Sequence, residues 1–175
     1  MTEKLIIVSG MYGSGKTTYC NRFNYPLIHV DDVYDYDAKH MKYELVEDWI
    51  NINNKAEILM LDAYLFGTDK DLSKLRKAIS PISNIGVVMV YTTLHELYEC
   101  QRSTSGRRDG IKERNLSEEK DMWFRKKDQR ELMEVFTEHL EVGSVSSVEY
   151  IFREGNKYTT ADKEHLSEIL KEAIL

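Results

Sequence analysis

Cysteine and proline are nearly absent: the 175 residues hold two of each. Cys20 and Cys100 stand alone, without the neighbouring Cys and His that a metal site or redox pair requires. No secretory leader is recognisable, so they read as reduced, half-buried thiols of a cytoplasmic protein, in a host's cytoplasm if the source is viral. Long apolar runs are missing as well. None approaches the roughly 20 residues that cross a bilayer, which excludes a membrane partner. The opening MTEKLIIVSG has one Lys and a short apolar run closed by Gly, the pattern of a first β-strand rather than a signal peptide. Positive charge is not in excess either. A net charge of −6 and a pI near 5.4 exclude a general nucleic-acid coat. With 42% hydrophobic and 31% charged residues, the composition excludes disorder and fits one globular domain over residues 1–175.

What is present is an alternation of short apolar runs with helix-period segments. Strands are expected at 4–9 (KLIIVS), 27–30 (LIHV), 57–62 (EILMLD), 85–91 (IGVVMVY) and 147–153 (SVEYIFR). Helices are expected from about Ser14 to Asn24, over 40–53, over 69–79 ending before Pro81, over 94–102, from Ser117 onward, and from about Asp162 to the end. Gly155-Asn156 turns the chain between the last strand and the last helix. Such alternation predicts a parallel sheet covered by helices on both faces, with ligands beyond the carboxyl ends of the strands.

Directly after the first run comes GMYGSGKT. Gly10, Gly15, Lys16 and Thr17 match G-x-x-x-x-G-K-[ST], and Gly13 adds freedom inside it. Glycine permits positive φ and close approach, so backbone N–H groups of Gly13, Ser14 and Gly15 are placed to wrap a phosphate. Lys16 reaches the β and γ oxygens, Thr17 supplies a hydroxyl to Mg²⁺, and Thr18 continues the nucleotide-binding set. The helix that follows aims its positive end at the same anion.

Three further features sit where the strands end. Asp31 and Asp32 follow LIHV in an expected extended segment, Asp31 as the base for an acceptor hydroxyl and Asp32 in support. Tyr34, Tyr36 and Tyr43 crowd the same region, either to stack on a base or to pack. Asp62 closes ILMLD, where a carboxylate can meet Mg²⁺ through water, and Ala63, Tyr64, Leu65 and Phe66 after it are candidates to line an acceptor pocket. The segment 103–115 (STSGRRDGIKERN) is a Gly-containing charged loop framed by Arg102, Arg107, Arg108 and Arg114. Around it, residues 102–130 carry a local charge of +4 on an acidic body. Arginines on a closing loop stabilise charge developed in phosphoryl transfer and exclude water. The region from Arg153 to Tyr158 is a candidate cover for a purine.

GMYGSGKT, VDDVY, LDAYLF and RSTSGRRDGIKERNLSEE together resemble, in order, the motifs of small P-loop kinases of the nucleoside/nucleotide kinase type, uridine kinases among them. The D-D-Y segment, with the T-x-x-E-L-like helix start from Thr92 to Leu97, also resembles phage polynucleotide 5′-hydroxyl kinases. The resemblance covers roughly residues 4–140. It implies a three-layer α/β/α P-loop NTPase fold with a five-stranded parallel sheet of order 2-3-1-4-5 and a mobile lid at about 103–116. It implies ATP with Mg²⁺, a nucleotide donor and a hydroxyl-bearing acceptor. Asp31 matches the catalytic Asp, Arg102 and Arg107 match lid arginines, and Arg108 joins the ATP-binding set. Three readings stay open: a kinase for a nucleoside, nucleotide or related small molecule, a kinase for a polynucleotide or a hydroxymethylated base in DNA, and a nucleotide-hydrolysing switch. The absence of N-K-x-D disfavours a GTPase switch.

Overall fold

Edge-to-edge pairing of the short apolar runs satisfies their backbone N–H and C=O groups and leaves two faces to be covered. The computed structural model describes residues 1–10, 13–35, 37, 40–63, 69–93, 95–97, 99–100, 145–162, 164–165 and 168. In chain order these form β1 (Lys4–Ser9), α1 (Lys16–Cys20), β2 (Leu27–His29), a 3-10 turn (Val30–Val33), β3 (Tyr34–Asp35), β4 (His40–Met41) and α2 (Tyr43–Ile52). Then follow β5 (Ile58–Ala63), α3 (Asp69–Ile79), β6 (Ile85–Thr92), β7 (Val145–Glu154) and β8 (Lys157–Ala161).

The main sheet runs β2-β5-β1-β6-β7-β8. Its first five strands are parallel, and β8 turns back antiparallel on β7. Counted along the chain, the order is 2-3-1-4-5-6. The expected five-stranded order is present within it, but the count needs correcting. Residues 157–161 form a sixth, antiparallel edge strand where the sequence was read as a turn leading to a helix. Gly155 at φ +60 makes that two-residue turn.

Strand alternation sorts the core. Leu5 and Ile7 of β1, Leu59 and Leu61 of β5, and Val87 and Met89 of β6 share one cluster with Val46 and Ile50 of α2 and Leu75 and Ile79 of α3. Val8, Met60, Val88 and Val90 alternate with them and join Tyr19 and Cys20 of α1. Helices therefore cover both faces. The same period of two puts Asp62, two residues past Met60, on the α1 face, which is what brings it to the phosphate loop.

Other boundaries also move. The first helix is five residues, not the span from Ser14 to Asn24, so backbone of the loop rather than a long helix must hold any anion. The helix expected over 40–53 begins at Tyr43, because residues 40–41 pair with 34–35 in a small separate sheet. Asp31 and Asp32 lie in the 3-10 turn rather than in extended chain. Among the described residues no helix is long and apolar enough to cross a membrane.

Candidate phosphate-binding site

The carboxyl ends of β1, β5 and β2 meet at one corner of the sheet, with His29 paired to Asp62 and Ser9 to Ala63 in register. The loop from Gly10 leads from β1 to α1 across that corner. Gly10 is forced by close approach: a Cβ there would collide with the Val90 carbonyl oxygen of β6 and stand 2.6 Å from Ser14 Oγ. Gly13 and Gly15 take φ of 86° and 93°, the left-handed values that the loop's sharp reversal requires. Ser14 and Lys16 are buried, and Thr17 and Thr18 at the start of α1 are exposed.

Thr17 Oγ1 donates to Asp62 Oδ2 at 2.8 Å. His29 Nδ1 lies 2.7 Å from the same oxygen. The other oxygen, Asp62 Oδ1, is buried with no hydrogen-bond partner among the described residues, as are the hydroxyls of Ser9 and Ser14. A buried carboxylate oxygen left unmatched beside a Thr hydroxyl is an all-oxygen donor set of the kind a hard divalent cation takes. Mg²⁺ typically binds one or two such groups and fills its remaining positions with water and substrate phosphate, so the absence of a larger His/Cys/Asp/Glu cluster among the described residues does not oppose it. The residues present fit Mg²⁺. Behind them, burial and then the Asp62 charge push the Cys20 thiol up to about 12, so it stays protonated and inert.

The structure brings Thr17 and Asp62 together at the end of the sheet where the loop glycines lie. Asp31 and Asp32 follow β2 at the same end of the sheet, Asp32 with an exposed side chain, and Tyr34 stands in β3. Arg102, Arg107, Arg108, Arg114, Tyr36, Tyr64, Leu65, Phe66, the 103–116 segment and the helix from Ser117 lie outside the described residues. Sequence reasoning missed two groups. One is His29 on Asp62. The other is the β7–β8 hairpin, which meets the outer side of the phosphate loop through Arg153 and Tyr158. The region had been read as a purine cover. No local pattern shows that a residue near position 153 reaches one near position 14.

Among solved structures, the chain resembles a sugar kinase from a Janibacter species, at 11% identity over 86% of this chain and 85% of that one, with a TM-score of 0.52. The chain shares the α/β fold of that structure. Weaker likenesses are to Kti12 from Chaetomium thermophilum in complex with ADP-AlF3 (13% identity, 96% of each chain, TM-score 0.49) and to a gluconokinase from Sinorhizobium meliloti (17%, 97% and 88%, TM-score 0.43). The sequence matches no protein-family model and no curated protein. In an open, mainly parallel α/β sheet, the carboxyl ends of the strands, where Gly10 and Asp62 lie, are the edge at which ligands are expected.

Proposed function

We propose that the chain is an ATP-dependent kinase that transfers a γ-phosphate to a hydroxyl of a nucleoside, a nucleotide or a related small molecule. The observation that carries this reading is the 2.8 Å hydrogen bond from Thr17 to Asp62, which ties the phosphate loop to the end of β5 beside an unmatched carboxylate oxygen. Gly10, Gly13, Ser14, Gly15, Lys16, Thr17 and Thr18 bind the triphosphate in this reading. Thr17 and Asp62 would hold Mg²⁺, which when bound offsets negative charge on the phosphate oxygens.

The acceptor oxygen attacks the γ-phosphorus as the bond to the β–γ bridging oxygen breaks. ADP leaves with that electron pair, and the acceptor's proton passes to the Asp31 carboxylate. Lys16 and the lid arginines Arg102 and Arg107 balance charge on the transferring group, and Arg108 holds the nucleotide. In this reading Asp31, Asp32, Tyr34 and Tyr64 are the acceptor-binding residues. The place of Asp31 immediately after β2, at the carboxyl end shared with the phosphate loop, supports transfer to a bound hydroxyl over plain hydrolysis. Asp31→Asn should lower transfer by about a hundredfold or more while nucleotide binding stays. Near-normal turnover in that variant would remove Asp31 as the base.

A second reading, a kinase for polynucleotide ends or for a hydroxymethylpyrimidine in DNA, is favoured by the +4 charge of residues 102–130. It requires affinity for DNA that falls steeply with salt. Activity on free nucleosides that ignores salt would exclude it.

A further inference from the structure

The phosphate loop of the kinase reading is held from outside by the other end of the chain. Arg153 Nε donates to the Ser14 carbonyl at 2.7 Å, and Arg153 Nη2 donates to the Gly13 carbonyl at 3.1 Å. Tyr158 Oη donates to the Gly15 carbonyl at 2.9 Å. Three consecutive loop carbonyls therefore accept from two side chains of one hairpin, and the Gly15 carbonyl also accepts from the Tyr19 N–H of α1 at 2.9 Å. No described peptide is cis, and in a planar trans peptide the C=O and N–H point in opposite directions. With the carbonyls of Gly13, Ser14 and Gly15 turned to the hairpin, the N–H groups of Ser14, Gly15 and Lys16 point away from it. A guanidinium on the outer carbonyls also polarises those peptides in the sense that strengthens their N–H groups as donors.

The hairpin is itself held. Arg153 Nη1 lies 3.4 Å from Glu96 Oε2, and Glu96 Oε1 accepts from the Gly155 N–H at 2.7 Å. The Thr92 hydroxyl sits 2.6 Å from Glu96 Oε2 and 2.7 Å from the Arg153 carbonyl. The helix start T-x-x-E-L thus has a use. Thr93 Oγ1 caps the Glu96 N–H at 3.2 Å, while the Glu96 carboxylate is sent to the hairpin instead of back to its own helix. The Arg22 guanidinium lies 4.9 Å over the Tyr158 ring, a cation–π contact that steadies it.

We infer that Arg153 and Tyr158, set by Glu96, are positioning residues that pre-organise the phosphate loop, so that triphosphate affinity depends on the β7–β8 hairpin without the hairpin touching the ligand. This rests on the kinase reading's phosphate site. Calorimetric titration with Mg²⁺–ATP and with inorganic tripolyphosphate, which has no base or sugar, tests it. Arg153→Ala should weaken both ligands by the same factor, about tenfold or more. Tyr158→Phe should weaken both by less. Arg153→Lys should recover part of the loss, because an ammonium reaches one carbonyl but lacks the planar fork.

Loss of ATP affinity with unchanged tripolyphosphate affinity would mean that Arg153 meets the base, and the inference would be wrong. Unchanged affinity for both ligands, with only the thermal midpoint lowered, would reduce the hairpin to a structural prop and also overturn it. If Arg153→Ala does not fold, Tyr158→Phe decides by the same two comparisons. A wild-type protein that binds neither ligand, or a Lys16→Ala variant that binds as well as wild type, removes the phosphate site and the brace with it. Tight wild-type binding that Arg153→Ala leaves intact removes the brace alone.

Discussion

Gly15→Ala separates two costs that the structure assigns to one position. The first is conformational: at φ +93 a side chain meets the left-handed penalty of roughly 1–2 kcal/mol. The second is steric. A Cβ would stand 2.5 Å from Arg153 Cδ, 2.6 Å from Arg153 Nε and 2.7 Å from Tyr158 Oη. Relief requires Arg153 to swing away from the Ser14 and Gly13 carbonyls, forfeiting hydrogen bonds from a charged donor at about 1.5–3 kcal/mol. The reduced freedom of the unfolded chain returns about 0.4–1 kcal/mol. The net loss is about 3 kcal/mol. For a domain of this length that lowers the thermal midpoint by about 10 °C.

Gly155→Ala is the internal control. Its φ of +60 carries the conformational cost alone, since nothing lies within 4 Å of a Cβ there. It should cost about 1 kcal/mol and about 2–4 °C. Urea unfolding of both variants measures the difference. A cycle with Arg153→Ala identifies its source, because the Gly15→Ala penalty should shrink once the arginine side chain is gone. Equal penalties at Gly15 and Gly155, or a Gly15→Ala penalty unaffected by Arg153→Ala, would refute the packing of the hairpin on the loop.

Other outcomes follow from the same geometry. Asp62→Asn should weaken nucleotide binding about tenfold or more in Mg²⁺ and much less in excess chelator, measured by calorimetry in both buffers. Burial alone would raise the Glu96 carboxyl, but the Thr92 hydroxyl, the Gly155 N–H and the Arg153 charge outweigh it and hold the carboxyl below its ordinary value of 4.5. Its stabilisation is therefore complete above pH 4.5 and lost as pH falls through the lower folded value. Glu96→Gln should flatten that part of the stability–pH curve. Cys20, pushed from 9.0 to about 12, should alkylate at pH 8 about a thousandfold more slowly in the native protein than after denaturation, as read by mass spectrometry.

The glycine loop and the elements on either side of it were legible in the sequence because their signals are local. An apolar run, a glycine loop of fixed spacing and a Lys-Thr pair mark where β1, the loop and the start of α1 fall in the chain. Asp62 stood out for a related reason, as a carboxylate closing an apolar run, and the structure places it at the carboxyl end of β5. The sixth strand was not, because KYTTA is short and polar, and only pairing with β7 makes it a strand. Gly155-Asn156 was read as a turn, and the hairpin it builds was overlooked. Arg153 was illegible in a stronger sense. Its partners Gly13 and Ser14 lie 140 and 139 positions away, and nothing near it in the chain marks the contact. The 3-10 turn at Val30–Val33 replaced an expected extended segment because Val30 and Val33 both bury into the core, three residues apart.

The central claim is that the corner between Gly10–Thr17 and Asp62 donates a γ-phosphate to a hydroxyl. Its most direct test follows γ-labelled ATP with Mg²⁺ across free nucleosides, nucleotides, sugars, single-stranded DNA and duplex DNA with hydroxymethylated bases, using wild type beside Lys16→Ala. Label should become covalently attached to one acceptor class, faster than inorganic phosphate is released, and this transfer should be absent with Lys16→Ala. Label released only as inorganic phosphate, at one rate whatever acceptor is present, would contradict it.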